Sequence, residues 1–208
     1  MQHFSEVETR LLWPGPAGEI EMIITSGHIP ATAIICHPHP LFGGTMGNKV
    51  VTTLARTFHD KGLSTIRFNF RGVGKSAGTH DQGQGETDDV LAIAAWVKKE
   101  RPQDALWLAG FSFGGYVATS AASRLSSAAR LVIVAPQVSR FEMANLSPVL
   151  CPWVVIQGEQ DDVISPEAVY AWVEHQEPKP ALVRIPGAGH FFHRQLGELR
   201  TAVEKSCF

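Results

Sequence analysis

A chain of 208 residues, 44% of them hydrophobic, is long enough for a single α/β domain spanning 1–208 with one substantial core. Its 18 basic and 20 acidic side chains are interspersed and leave a formal charge of -2. That excludes a basic face for nucleic acid and a polybasic segment for an anionic membrane, and points to a small-molecule partner.

The opening MQHFSEVETR has no apolar core of the secretory kind, and no later run reaches membrane-spanning length. Cys36, Cys151 and Cys207 stand at unrelated spacings, so reduced thiols and a cytoplasmic location are expected. Two short segments, 7–12 and 19–25, flank the turn-rich WPGPAG. They predict an antiparallel hairpin, because a parallel crossover needs a far longer connection.

From there, apolar runs bounded by Gly, Pro and Asp alternate with segments of helical period. A strand is predicted at 32–37, a helix at 48–61 ended by Gly62, a strand at 64–70, and a helix at 86–101 followed by Pro102. Then come a strand at 105–111, a helix at 113–124 and a strand at 130–135. The stretch 136–152 is irregular and leaves room for only a small lid. A strand at 153–157, a helix at 166–177 behind Ser165, a strand at 181–185 and a helix at 194–205 complete the chain. The inner strands are nearly continuous in Val, Ile, Leu and Phe, as strands buried on both faces are. The pattern is that of an eight-stranded, mostly parallel sheet with an N-terminal antiparallel hairpin and helices on both faces.

Open parallel sheets gather ligand chemistry at the carboxyl ends of their strands. GFSFGG, residues 110–115, sets Ser112 in the spacing G-x-S-x-G between a predicted strand and a predicted helix. A serine hydroxyl is a weak nucleophile and has to stand clear of the sheet beside a base. Gly110 and Gly114 remove the Cβ atoms that would obstruct so sharp a turn. The spacing alone would arise by chance in on the order of one chain in ten of this length, so the other strand ends decide. In QGEQDDVIS, Gly158 breaks a strand and Asp161 and Asp162 follow in the turn; in PGAGH, His190 follows the strand at 181–185. Serine, acid, histidine is the chain order of α/β-hydrolases and differs from that of trypsin-like and subtilisin-like enzymes.

With CHPHPLFGGTM after the third strand and RFNFRGVGKSAG after the fourth, nearly the whole chain resembles the compact, lidless bacterial α/β-hydrolases. The resemblance implies Ser112 as nucleophile, Asp161 as acid and His190 as base, with no cofactor and a small acyl substrate. The family pattern G-x-x-D-x-apolar fits residues 158–163 only with Asp161 as the acid, leaving Asp162 as a turn residue bonded to nearby backbone amides. A tetrahedral intermediate needs donors for its oxyanion, and the N–H of Phe113 is expected to be one. The other is expected in HPHPLFGG, where Pro38 and Pro40 have no N–H and His39, Leu41 and Phe42 remain. Leu41 is favoured, with His39 second, and His37 is expected to support this loop by hydrogen bonding. Phe42, Phe141, Met143, Val163 and Phe191 are the candidates to line an apolar acyl pocket.

Other motifs are weighed against these. His37, His39, His190 and His193 invite a metal site, but no HExxH occurs and Cys36 is the one thiol close to them in sequence, so no metal is expected. RGVGKS resembles the end of a phosphate-binding loop; the position for its first glycine holds Asn69, and AGTHDQGQG follows in place of a helix start. It is expected to be a glycine-rich connection in which Arg71 anchors neighbouring loops, with Asp88 and Asp89 in the first turn of the next helix. The expected activity is hydrolysis of small carboxylic esters through an acyl-enzyme on Ser112. A thioesterase, an amide hydrolase and a non-catalytic binding protein of the same fold are the alternatives.

Overall fold

The computed structural model describes residues 8–139 and 143–208. Its strands are β1 (Thr9–Gly15), β2 (Gly18–Thr25), β3 (Ala31–Cys36), β4 (Ser64–Phe68), β5 (Ala105–Phe111), β6 (Ala128–Val134), β7 (Trp153–Gly158) and β8 (Ala181–Ile185). They form one 8-stranded sheet in the order β1-β2-β4-β3-β5-β6-β7-β8. β1 runs antiparallel to β2, and β2 to β4, while every later pair is parallel. The chain steps from β3 outward to β4 and then crosses back past β3 to β5. The carboxyl ends of β3 and β5 therefore flank the point where the direction of winding reverses, and loops leaving that point diverge to leave a crevice.

The helices are α1 (Lys49–Asp60), α2 (Gln84–Glu100), α3 (Phe113–Arg124), α4 (Pro166–Glu174) and α5 (Leu196–Cys207). Side chains alternate across the sheet, so β3 sends Ile34 and Cys36 to one face and Ala33 and Ile35 to the other. Val90, Ile93 and Val97 of α2, Val117 and Ala121 of α3, and Val169 and Val173 of α4 cover the first face. Val51, Leu54 and Phe58 of α1 with Leu199 and Val203 of α5 cover the second. Each fully buried Val, Leu, Ile or Phe among them contributes about 1.5–3 kcal/mol of transfer free energy, and these layers hold the strand ends in fixed register.

Several boundaries differ from the periodic reading, each for a local reason. β1 continues through Pro14, which an edge strand tolerates because its outer N–H has no ladder partner. β4 stops at Phe68 because the Phe70 N–H is taken by the His37 ring at 3.0 Å. α5 starts at Leu196, not 194, since Phe192 and Arg194 hold φ of 51° and 61°. α2 starts at Gln84, so Asp88 and Asp89 lie beyond its first turn, contrary to the expectation for both. The first-turn acid is Glu86, whose carboxylate accepts from the N–H groups of Gly83 (2.8 Å) and Asp81 (3.0 Å). Asp89 is buried and takes a forked pair of hydrogen bonds from Arg71, at 2.9 and 2.8 Å.

The loop RGVGKS is a structural connection, as expected. Ser76 is buried, with its hydroxyl donating to the Asn69 carbonyl (2.7 Å) and accepting from the Glu21 N–H (3.0 Å). Between β6 and β7, the described residues contain one short 3-10 turn, Met143–Asn145, and no inserted helical layer. No helix among the described residues is long and apolar enough to cross a membrane.

Candidate active site

Ser112 occupies the junction of β5 and α3 with φ 56° and ψ -117°. A non-glycine residue in this region is strained by about 1–3 kcal/mol and persists only when its surroundings over-determine it. Here they do. The Ser112 N–H donates to Val134 of β6 (2.9 Å), and the Ser112 carbonyl accepts from Gly115 (2.9 Å). A Cβ on Gly110 would run into the Gly114 carbonyl, and one on Gly114 into the carbonyl oxygens of Cys36 and His37. The two glycines therefore let α3 close down on both β5 and the end of β3, which turns the serine side chain outward.

The histidine arrives from the turn after β8 and the acid from the turn after β7. His190 Nε2 lies 3.1 Å from Ser112 Oγ, and His190 Nδ1 lies 2.8 Å from Asp161 Oδ2. All three residues are buried. An ionised Asp161 only accepts, so the proton sits on Nδ1 and the Nε2 lone pair faces the serine hydroxyl. Asp161 Oδ1 accepts the N–H groups of Val163 (2.9 Å) and Ile164 (2.7 Å), and Oδ2 also accepts from Gln157 Nε2 (3.0 Å). Burial works against the charge, but the hydrogen bonds from His190, Ile164 and Val163 outweigh it and hold the carboxyl below its ordinary range. Asp162 is exposed and makes none of these contacts.

A cavity of about 440 Å³ opens above Ser112 and reaches His190, Phe113 and the loop after β3. Of the residues expected to line it, Phe42, Val163 and Phe191 do, and each remains substantially exposed. Met143 does not, being buried beneath the surface at 2% exposure. Phe141 lies outside the described residues. Asn48 and Gln137, which sequence reasoning missed, add two neutral amides to the wall; neither stands in a motif, and only the chain path brings them there.

The loop after β3 corrects the choice of Leu41. Residues Pro40–Phe42 form a 3-10 turn that rolls Leu41 away from the cavity, its side chain 70% exposed and its N–H directed to His39 Nδ1 at 3.3 Å. The Phe42 N–H donates to the His39 carbonyl at 3.1 Å. His39 itself lines the cavity, as does Phe113 at the first position of α3.

His37 anchors this loop from below. Its Nδ1–H donates to the Pro38 carbonyl (2.7 Å) and its Nε2 accepts from the Phe70 N–H (3.0 Å), tying the ends of β3 and β4 together. Burial pushes its pKa down to about 4 from 6.5. Between those values the unfolded chain binds more protons than the folded one. Stability from a neutral His37 is therefore complete above 6.5 and is lost as pH falls through 4, by roughly 3 kcal/mol in all. A His37→Gln variant is expected to be less stable than wild type at pH near 7 and to lose less on acidification. Urea midpoints at several pH values check this; parallel losses in both proteins would contradict it.

The His80–Glu86 pair, which carries no motif, also went unseen in the sequence. His80 Nδ1 lies 2.7 Å from the fully buried Glu86 carboxylate, and its ring stands 5.0 Å from His39 and 5.5 Å from Phe113. Among the described residues no three His, Cys, Asp or Glu side chains form a group that could hold a metal ion.

Residues 35–150 match the alpha/beta hydrolase fold family. An uncharacterized protein of Rickettsia prowazekii, RP471, is 32% identical, covering 93% of this chain and 86% of that protein. The structure of an alpha-beta serine hydrolase homologue from Coxiella burnetii superposes with a TM-score of 0.93 at 45% identity, covering 96% of this chain and 97% of that one. A Xanthomonas campestris protein described as an a/b serine hydrolase without lid gives 0.92 at 44% identity, over 98% of this chain and 94% of its own. With the family match spanning more than half of its length and these relatives matching nearly end to end, the chain belongs to the alpha/beta hydrolase fold family.

Proposed function

We propose that the protein is a serine hydrolase that cleaves small carboxylic esters through an acyl-enzyme on Ser112. The observation that carries this reading is the continuous hydrogen-bonded chain Ser112 Oγ, His190 Nε2, His190 Nδ1, Asp161 Oδ2, with distances of 3.1 and 2.8 Å. In the first half-reaction His190 takes the Ser112 proton as Oγ attacks the acyl carbon, then delivers that proton to the leaving alcohol. In the second it takes a proton from water, which attacks the acyl carbon, and returns it to Ser112 Oγ. Asp161 keeps the imidazole in the required tautomer and stabilises the imidazolium in both halves. His190 carries every proton step, so the chemistry calls for no cofactor.

The oxyanion of each tetrahedral intermediate is assigned to the backbone N–H groups of Phe113 and His39. Since the Leu41 and Phe42 N–H groups are directed at His39 atoms, His39 replaces Leu41 as the second donor. The same machinery would serve thioesters and amides, and the apolar wall of Phe42, Val163 and Phe191 favours a short acyl chain over a polar one.

Two measurements test the reading. Purified protein should be labelled by a fluorophosphonate and should hydrolyse p-nitrophenyl esters faster than matched thioesters and anilides; absence of labelling would overturn it. Along an ester series, kcat/KM is expected to rise a few-fold per added CH₂, in line with about 0.8 kcal/mol per buried methylene, and then level off as the chain reaches solvent. Phe42→Ser and Phe191→Ser should flatten that rise while leaving acetate turnover within about threefold. A slope unchanged in both variants would move the acyl site elsewhere.

A further inference from the structure

Asp161 receives more hydrogen bonds than are needed to orient one imidazole. Oδ1 is held by the backbone of Val163 and Ile164, while Oδ2 is shared between His190 Nδ1 at 2.8 Å and Gln157 Nε2 at 3.0 Å. Gln157 is fully buried in β7, four residues before Asp161, and its amide also donates to the Gly158 carbonyl at 3.2 Å. Its own Oε1 is buried with no donor among the described residues.

A buried acceptor left unmet costs about 1–3 kcal/mol, and an apolar side chain of the same length would avoid that cost. The preceding β7 residues, Val154, Val155 and Ile156, are all apolar and buried. Packing alone therefore does not account for an amide at 157. The amide orientation is fixed as well, because turning it over would aim Oε1 at Asp161 Oδ2 and the Gly158 carbonyl, both acceptors.

We propose that Gln157 is a positioning residue for the acid–base pair: its Nε2–H fixes the Asp161 carboxylate and, by sharing Oδ2 with His190, limits how tightly that oxygen holds the protonated ring. This rests on the reading of Ser112, His190 and Asp161 given above. The physical reason lies in the proton traffic. His190 must accept a proton and release it again in each half-reaction, so an imidazolium bound too firmly would slow the release. With the Gln157 donor in place, the charge on Oδ2 is divided between two hydrogen bonds. Without it, that charge falls on Nδ1–H alone and the ring keeps its proton to higher pH.

The titratable groups around the pair limit what else could move it. Glu159 and Asp162 share the turn of Asp161, His193 follows on the turn of His190, and Ser112 and His39 line the cavity. Among the described residues Asp161 is the one carboxylate hydrogen-bonded to His190, and Gln157 is the one side-chain amide on Asp161.

The test uses Gln157→Met, which keeps the length and removes both the donor and the unmet acceptor, and Gln157→Leu, which removes both with a branched apolar side chain like those of the preceding β7 residues. Two quantities are read on the full-length protein: the pH at which the His190 ring signals titrate by NMR, and the acidic limb of kcat/KM on a p-nitrophenyl ester. Both are expected to move to higher pH by about half a unit or more in Gln157→Met and in Gln157→Leu alike, with KM within about twofold of wild type. The thermal midpoint of Gln157→Met should match or exceed that of wild type.

Folded variants whose His190 titration stays within about 0.1 unit of wild type would reduce Gln157 to filler and overturn the proposal. Gln157→Leu decides the matter even where the methionine variant does not fold. A wild type that resists fluorophosphonate and hydrolyses no ester would refute the hydrolase reading instead, while the NMR titration would still decide the role of Gln157.

Discussion

Replacing Ser112 with alanine is expected to abolish fluorophosphonate labelling and to lower kcat on p-nitrophenyl esters by about 10⁵–10⁶-fold, the loss found when a unit of nucleophile and base is broken. Among the described residues that line the cavity, Ser112 is the one hydroxyl, so no neighbour can stand in for it. Residual turnover on the order of 10³-fold above water should survive, since the proposed donors at Phe113 and His39 remain to stabilise an oxyanion. The fold should be unaffected. Alanine has the same Cβ, so the strain at φ 56° is unchanged, and the Ser112 hydroxyl makes its side-chain hydrogen bond to His190. Circular dichroism and the thermal midpoint check that point. Labelling that survived in Ser112→Ala would remove the nucleophile from this site altogether.

Asp161→Asn is expected to cost about 10³–10⁴-fold in kcat with KM nearly unchanged, and Asp162→Asn less than about twofold. The contrast follows from donor counting. Every group aimed at the Asp161 carboxylate is a donor: the N–H of Val163, the N–H of Ile164, Gln157 Nε2 and His190 Nδ1. An asparagine offers one acceptor oxygen and an NH₂ group, so one orientation confronts the two backbone donors with a third. The other confronts His190 and forces its proton onto Nε2, the atom that must accept from serine. Asp162 is exposed and touches none of these groups. Steady-state kinetics on both variants decide the assignment, and the reverse ranking would give the acid role to Asp162.

Much of this is legible in the sequence alone. The sheet follows from alternation of apolar runs with helical segments, and the hairpin from a connection too short for anything else. Ser112 and His190 stood out because glycines cluster where a backbone must turn sharply or approach closely, and Gly110 and Gly114 do lie against carbonyl oxygens that any side chain would strike. The Asp161 position also followed from a spacing pattern. His37 was legible as a support of its loop, and it makes that bond to Pro38 while also reaching Phe70, 33 residues on. The partner in the second bond could not be read locally.

Elsewhere local reading failed. Leu41 is favoured by the sequence over His39 and Phe42, and the turn Pro40–Phe42 directs its N–H to a neighbouring ring. The assignment of Asp88 and Asp89 to the first helical turn failed because α2 starts at Gln84, and Asp89 answers to Arg71, 18 residues away. Met143 looked like a loop hydrophobe and is buried.

By itself the sequence determined the fold class and the order of its elements and singled out Ser112, Asp161 and His190, which the structure brings into one hydrogen-bonded chain, because periodicity and turn chemistry are local and repeat along the chain. Only the tertiary structure decided that the Leu41 N–H is directed to the His39 ring, that Asn48 and Gln137 share the cavity wall, and that Gln157 and His190 meet on one oxygen of Asp161. Those are contacts between strand ends far apart in the chain. They are set by sheet order and by a few tenths of an ångström in loop placement, and no spacing in the sequence encodes either.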